Sequence, residues 1–247
     1  MCIRDRVLKE LGLEVPVATT QVVGRDRYIE WVGWMANVAT SIEKVLQEVR
    51  NLQRTEISEV AEEFDPKKQV GSSTMAQKKN PITAENACGL ARIVRSMIVP
   101  SYENALLWHE RDLANSSSER FTLSHSMILL DDIIAKCERV VTGMSVDSER
   151  MMENIDSQGG LIMAEKIMLE LVDRGMPREQ AHEELRKSSI QAIEEGLGLD
   201  VACSRNAAIT VLINEEDLQA MFDPRSHLGS SEEIVNSAVS IARERCA

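Results

Sequence analysis

From Arg25 to about Thr55 the apolar residues Val38, Ile42, Val45, Leu46, Val49 and Leu52 recur at three- and four-residue steps. That spacing places them on one stripe of a long α-helix. A stripe of this length is covered only by other long helices, so the segment constrains the whole chain toward helix packed on helix. Composition agrees. Hydrophobic residues make up 43% and aromatics only 3%, and Met, Leu, Ile, Ala and Glu recur without the β-branched alternation a sheet needs. The fold class expected is all-α: a long-helix bundle followed by a smaller helical C-terminal domain.

The formal charge of −12 and a pI near 4.9 argue against nucleic acid or an anionic membrane as partner, since most of the surface would repel either. A local basic pocket for a small anion stays open. No apolar run reaches the ~18 to 20 residues of a membrane span, and MCIRDRVLKELGL lacks the apolar core of a secretory signal, so a cytoplasmic protein is expected. Cys2, Cys88, Cys137, Cys203 and Cys246 form no CxxC pair and have no histidine at metal-ligand spacing; they read as reduced thiols, with no metal and no cofactor.

The segment EISEVAEEFDPKKQVGSS is charged and carries Pro66 and Gly71, which marks a loop of about twenty residues, long enough to be functional. Asn80-Pro81 predicts a helix start, with Asn80 as N-cap and Pro81 at the first helical position. That helix is expected to run toward Trp108 with a kink at Pro100. A third helix is expected at SSSER, with Ser116 and Glu119 at capping-box spacing. Trp31 and Trp34, at helical spacing, read as core, as do Met151 and Met152. Elements shorten after Met144, and the boundary is drawn near residue 151: residues 1–151 are expected to form the bundle domain and 152–247 the C-terminal domain.

Two stretches concentrate reactive groups. In GSSTMAQKKNPITAE, residues 71–85, a serine hydroxyl can act as base or nucleophile only beside donors that stabilise its oxyanion. Lys78, Asn80 and the uncapped amides of the following helix are candidate donors, and would equally bind a carboxylate. A solvated Ser/Lys linker before a capped helix fits the same residues. In LLWHERDLANSSSER, residues 106–120, Arg111, Ser116 and Arg120 could converge on a phosphate beside a helix N-terminus, or Ser116 could simply cap and Arg120 be solvated. His125 and His182 read as packed or solvated imidazoles.

Taken together, these stretches resemble the fumarase/aspartase superfamily, whose loop pattern GSSxMPxKxNP is close to GSSTMAQKKNP. WHERDLANSSSER, VATTQVVGRDRY and NPITAENACGLARIVR resemble the adenylosuccinate lyases in particular, and the likeness runs from about Val7 to DPRSHLGSSEEIV. The resemblance implies a reversible anti β-elimination that releases fumarate from adenylosuccinate, leaving AMP, and from the succinylated aminoimidazole carboxamide ribotide of purine biosynthesis. It assigns proton abstraction to Ser72, pairing with a catalytic histidine to Glu85, and substrate contacts to Gln21, Ser73, Met75, Lys78 and Asn80. The nucleotide phosphate falls to Arg111, Ser116 and Arg120. It also implies a homo-oligomer, a tetramer with active sites shared between subunits, which the Val38 to Leu52 stripe favours independently.

Ala76 stands where the superfamily pattern has proline, which should loosen the loop. The family's general-acid histidine belongs to a segment N-terminal to anything matched, so the chain resembles the latter half of a lyase. A carboxymuconate cycloisomerase and an argininosuccinate lyase are the alternatives within the superfamily. Neither has a use for the phosphate cluster. A non-catalytic oligomerising fragment is the alternative outside it.

Overall fold

The computed structural model describes residues 3–64, 74, 75 and 78–246. The chain divides into two units, Met1–Asp147 and Ser148–Ala247. Among the described residues the structure is helical apart from one two-residue strand pair.

In the first unit a short helix α1 (Ile3–Glu10) precedes the 27-residue helix α2 (Asp26–Leu52). Strand β1 (Val60–Ala61), helix α3 (Ile82–Ser96), helix α4 (Ile98–Glu103), helix α5 (Ala114–Gly143) and strand β2 (Ser145–Val146) follow. The order of contacts makes an up-down-up bundle. Arg25 at the start of α2 meets Glu119 near the start of α5, and β1 after α2 pairs antiparallel with β2 after α5. Helix α3 runs the other way, bringing Arg95 back to Glu43 on α2.

The bundle core is Val32, Met35 and Ala39 of α2, Ala91 and Val94 of α3, and Leu130 and Ile133 of α5. Small residues are prominent where these helices pack: Ala36 and Ala39 of α2 and Ala84, Ala87 and Ala91 of α3 are all buried, which lets backbones approach closely. Of the stripe read from sequence, Leu46 and Val49 are buried, while Val45 is 48% exposed. Trp31 and Trp34 do not enter the core: they stack on each other at 4.9 Å and lie about half exposed. Ile93, Phe121, Ile128, Ile134 and Val141 are likewise exposed.

Four local expectations are corrected. Pro81 takes the N-cap position and α3 begins one residue later, with no cap bond from that residue. The helix breaks at Met97, because Pro100 has no N–H for the Ser96 carbonyl and its ring would strike it, and α4 ends at Glu103, short of Trp108. Helix α5 begins at Ala114, so the Ser116 and Glu119 capping box does not form. The start is capped by the Asp112 carboxylate accepting from the Ala114 N–H at 2.9 Å. The expected loop after Thr55 contains β1 within its described part.

The second unit holds α6 (Ser148–Asp156), α7 (Ala164–Asp173), α8 (Arg178–Glu195), α9 (Leu199–Arg205), α10 (Ala207–Thr210), α11 (Glu215–Met221) and α12 (Ser231–Cys246). Helix α6 buries no residue, so Met151 is half-buried and Met152 exposed, not core. The core joins Ile167 and Leu171 to Leu185, Leu199, Ile209, Ile213, Leu218 and Met221. Helix ends are punctuated locally: Gly196 closes α8 in the left-handed conformation, and Asn206 and Asn214 cap α10 and α11 with their side chains. Cys88 and Cys203 are buried free thiols, Cys137 is half-buried and Cys246 exposed. Burial pushes the Cys203 thiol up to about 12, which makes it inert.

Candidate active site

The C-terminal end of α2 and the N-terminal end of α3 enclose a cavity of about 800 Å³. Met75, Lys78, Asn80 and Glu85 all line it, so four of the residues singled out in the sequence meet at one place. Helix α2 contributes Gln47, Arg50 and Asn51 to the same wall, followed by Gln53, Arg54 and Thr55. Sequence reading missed this wall. Its signal was the polar run NLQRT at the end of an otherwise apolar-striped helix. Ser72 and Ser73 lie outside the described residues, as does Ala76.

What holds the cavity in shape is a carboxylate that the sequence reading did not single out. Glu62 is buried, and its two oxygens accept the backbone N–H groups of Thr83 and Ala84 at 3.0 Å each. A carboxylate at a helix N-terminus satisfies orphan donors and complements the helix dipole. The expectation of uncapped amides for an incoming anion is therefore overturned at these two positions, because an internal carboxylate already occupies them. Gln53 completes the brace. Its side-chain oxygen accepts the Glu62 N–H at 2.8 Å, and its amide nitrogen donates to the Lys79 carbonyl at 3.3 Å.

The second cluster lies at the other end of the bundle. Arg111 and Arg120 are exposed and Ser116 is half-buried in the first turn of α5. Glu119, between them, accepts a two-pronged contact from Arg25 at 2.6 and 3.1 Å and a third bond from Asn115 at 2.9 Å. Burial by itself raises the Glu119 carboxyl, but the bonds from Arg25 and Asn115 outweigh it and hold the group below the ordinary carboxylate range. The same contact raises Arg25. Arg25 sits four residues after Gln21, so this ion pair ties the exposed Gln21 segment to the Arg111, Ser116 and Arg120 end of the bundle.

The two clusters do not meet within one chain. Cavity residues such as Arg50 lie in the last turn of α2 and Arg25 at its N-cap, and 27 helical residues span about 40 Å. His109, His125, His182 and His227 are all exposed and none lines the cavity. His125 stacks on Phe121 at 5.2 Å. Among the described residues no group of histidine, cysteine and acid side chains could hold a metal ion, and no helix is long and apolar enough to cross a membrane.

Comparison with known proteins discriminates among lyases that share this architecture. Residues 160–238 match the family described as "Adenylosuccinate lyase C-terminus", and residues 3–96 match the one described as "Lyase". An adenylosuccinate lyase of Methanothermobacter thermautotrophicus is 45% identical over 94% of the chain, and one of Staphylococcus saprophyticus 38% identical over 94%. Along nearly its whole length the chain is similar to adenylosuccinate lyases. It spans about half the length of the curated relatives it matches, 52% and 54% of these two. Among solved structures, a 3-carboxy-cis,cis-muconate lactonizing enzyme from Pseudomonas putida superposes with a TM-score of 0.86. It shares 27% identity, with 99% of this chain and 53% of that one covered. The fold is thus that of the wider lyase superfamily, while the higher sequence identity lies with the adenylosuccinate lyases.

Proposed function

We propose that this chain contributes to the β-elimination that releases fumarate from adenylosuccinate and from the related succinylated ribotide of purine biosynthesis, acting in the cytoplasm as part of a homotetramer. The observation that carries the reading is the convergence of Met75, Lys78, Asn80 and Glu85 on one cavity in a chain similar to these lyases. Removing a carbon-bound proton beside a carboxylate builds a dianionic aci-carboxylate, which fixed cations and amide donors stabilise most when their aim is preset. Lys78 has no ion-pair partner among the described residues and is available for that charge. Ser72 takes the proton, Ser73 contacts the substrate, and Glu85 orients the histidine that protonates the leaving nitrogen.

The separation of the clusters supports a shared site. A nucleotide is far shorter than the ~40 Å that α2 puts between Lys78 and Arg120, so the phosphate held by Arg111, Ser116 and Arg120 must belong to a substrate whose succinyl end rests on another subunit. Exposed Trp31, Trp34, Phe121, Ile128 and Ile134 supply apolar surface for that assembly. The lactonizing-enzyme likeness keeps cycloisomerisation as the second reading, and the phosphate cluster disfavours it.

In the full-length enzyme carrying these residues, Ser72→Ala should lower fumarate release by about 10² to 10⁴-fold while nucleotide affinity stays within twofold. Residual activity above a tenth of the parent would assign the base elsewhere.

A further inference from the structure

We infer that Arg50 is a carboxylate-binding residue of the cavity, a contact additional to Lys78 and Asn80. Among the described residues four cations, Arg50, Arg54, Lys78 and Lys79, line the cavity against one carboxylate, Glu85, in a chain whose formal charge is −12. Two are already engaged. Arg54 pairs with Glu56 at 2.6 Å and reaches Asn51 at 3.3 Å, and the Lys79 ammonium stands 5.9 Å from the centre of the Phe64 ring.

Arg50 is held differently. Its Nη1 donates to the neutral Gln47 side chain, one turn back, at 2.7 Å, and its Nε is buried with no hydrogen-bond partner among the described residues. A position in the last turn of α2 accounts for a positive charge, which complements the helix dipole, but it gives the Nε–H no acceptor. Buried donors left unanswered are costly and rare in native proteins. A carboxylate fits, because its two oxygens accept from two N–H groups of the flat guanidinium edge at once, a geometry a halide cannot match. The other natural seat for a carboxylate here, the amides opening α3, is filled by Glu62. An anion entering the cavity is left to side-chain donors, and Gln47 has already oriented one of them.

The inference rests on the β-elimination reading only for which carboxylate arrives. Its test therefore uses binding. Succinate, fumarate and inorganic phosphate are titrated separately into the purified chain by calorimetry, with the arginine Nε–H resonances followed by NMR. Succinate and fumarate should bind and shift the Arg50 signal, and Arg50→Lys and Arg50→Met should each weaken binding about tenfold or more at an unchanged melting temperature. Arg50→Lys keeps the stem and charge, so it reports the lost fork even if Arg50→Met is poorly folded. Absence of dicarboxylate binding, undiminished binding to Arg50→Lys, or phosphate binding as tightly as succinate would each overturn the inference. Arg50-dependent succinate binding by an enzyme that releases no fumarate would instead sink the lyase reading and leave this one standing.

Discussion

The two units solve the problem of a helical core in opposite ways. The second encloses large side chains, Ile167, Leu171, Leu199, Ile209, Ile213 and Leu218, each fully buried, with short helices whose ends are closed by neighbouring residues such as Asn206, Asn214 and Gly196. The first packs long helices on alanines and leaves many of its large apolar and aromatic groups outside. Its terminal devices are remote. Glu62 caps a helix 21 residues on, and Arg25 reaches Glu119 across 94 residues.

The difference separates two jobs. A unit closed by local caps around a dense core presents little that is reactive. A unit braced by buried and half-buried ions keeps polar groups at its helix ends, where they line a cavity, and leaves apolar faces exposed. Leu171→Ala should expose the contrast most strongly, destabilising the chain by about 3 to 5 kcal/mol in urea unfolding, as deletion of a fully packed leucine does. Val45→Ala, on an exposed face of α2, should cost less than about 0.5 kcal/mol in the monomer. Equal losses would erase the distinction between a dense core and an open bundle.

Next in size, Glu62→Ala strands two helix-opening N–H groups and should cost about 1 to 3 kcal/mol, with Glu62→Gln recovering only part because its amide turns a donor toward a donor. Denaturation of the three proteins side by side tests this. Stability of Glu62→Ala within error of the parent would mean that the brace contributes nothing.

The smallest expected effect is a pH dependence at the opposite end of α2. The Glu119 carboxyl is held below its ordinary value of 4.5, so its contribution to folding is complete above that value and is lost as pH falls through the lowered one. Comparing the parent with Glu119→Gln between neutral pH and about pH 3, the stability gap should narrow as the solution is acidified. A gap that widens toward acid would reverse the sign of the argument.

How much of this was readable beforehand follows the same division. The shorter elements after Met144 were legible because helix stops such as Gly196 are local signals. The long α2 was legible because its stripe repeats over many turns. The capping box at Ser116 and Glu119 failed because spacing alone cannot reveal that Asp112 starts the helix at Ala114 and that Arg25 takes Glu119. Trp31 and Trp34 failed because helical spacing identifies a stripe and not whether the chain has anything to cover it. In the cavity, the loop motif located Met75, Lys78, Asn80 and Glu85, whereas Arg50 and Gln47 gained meaning only once α2 ended beside them. The role of Glu62 depends on a chain path that brings it to the N–H groups opening α3, and no pattern within a few residues of Glu62 encodes it.

The proposed site joins the cavity end of this chain to the other end of another chain, since α2 holds the two clusters about 40 Å apart and none of the four histidines lines the cavity. The direct measurement mixes this chain with a full-length family member in which the residue matching Ser72 is alanine, and follows fumarate release from adenylosuccinate. The account predicts negligible release from either protein alone, restored release from the reassembled mixture, and no restoration when this chain carries Lys78→Met. A mixture that forms hybrid oligomers yet is no more active than its components would contradict it.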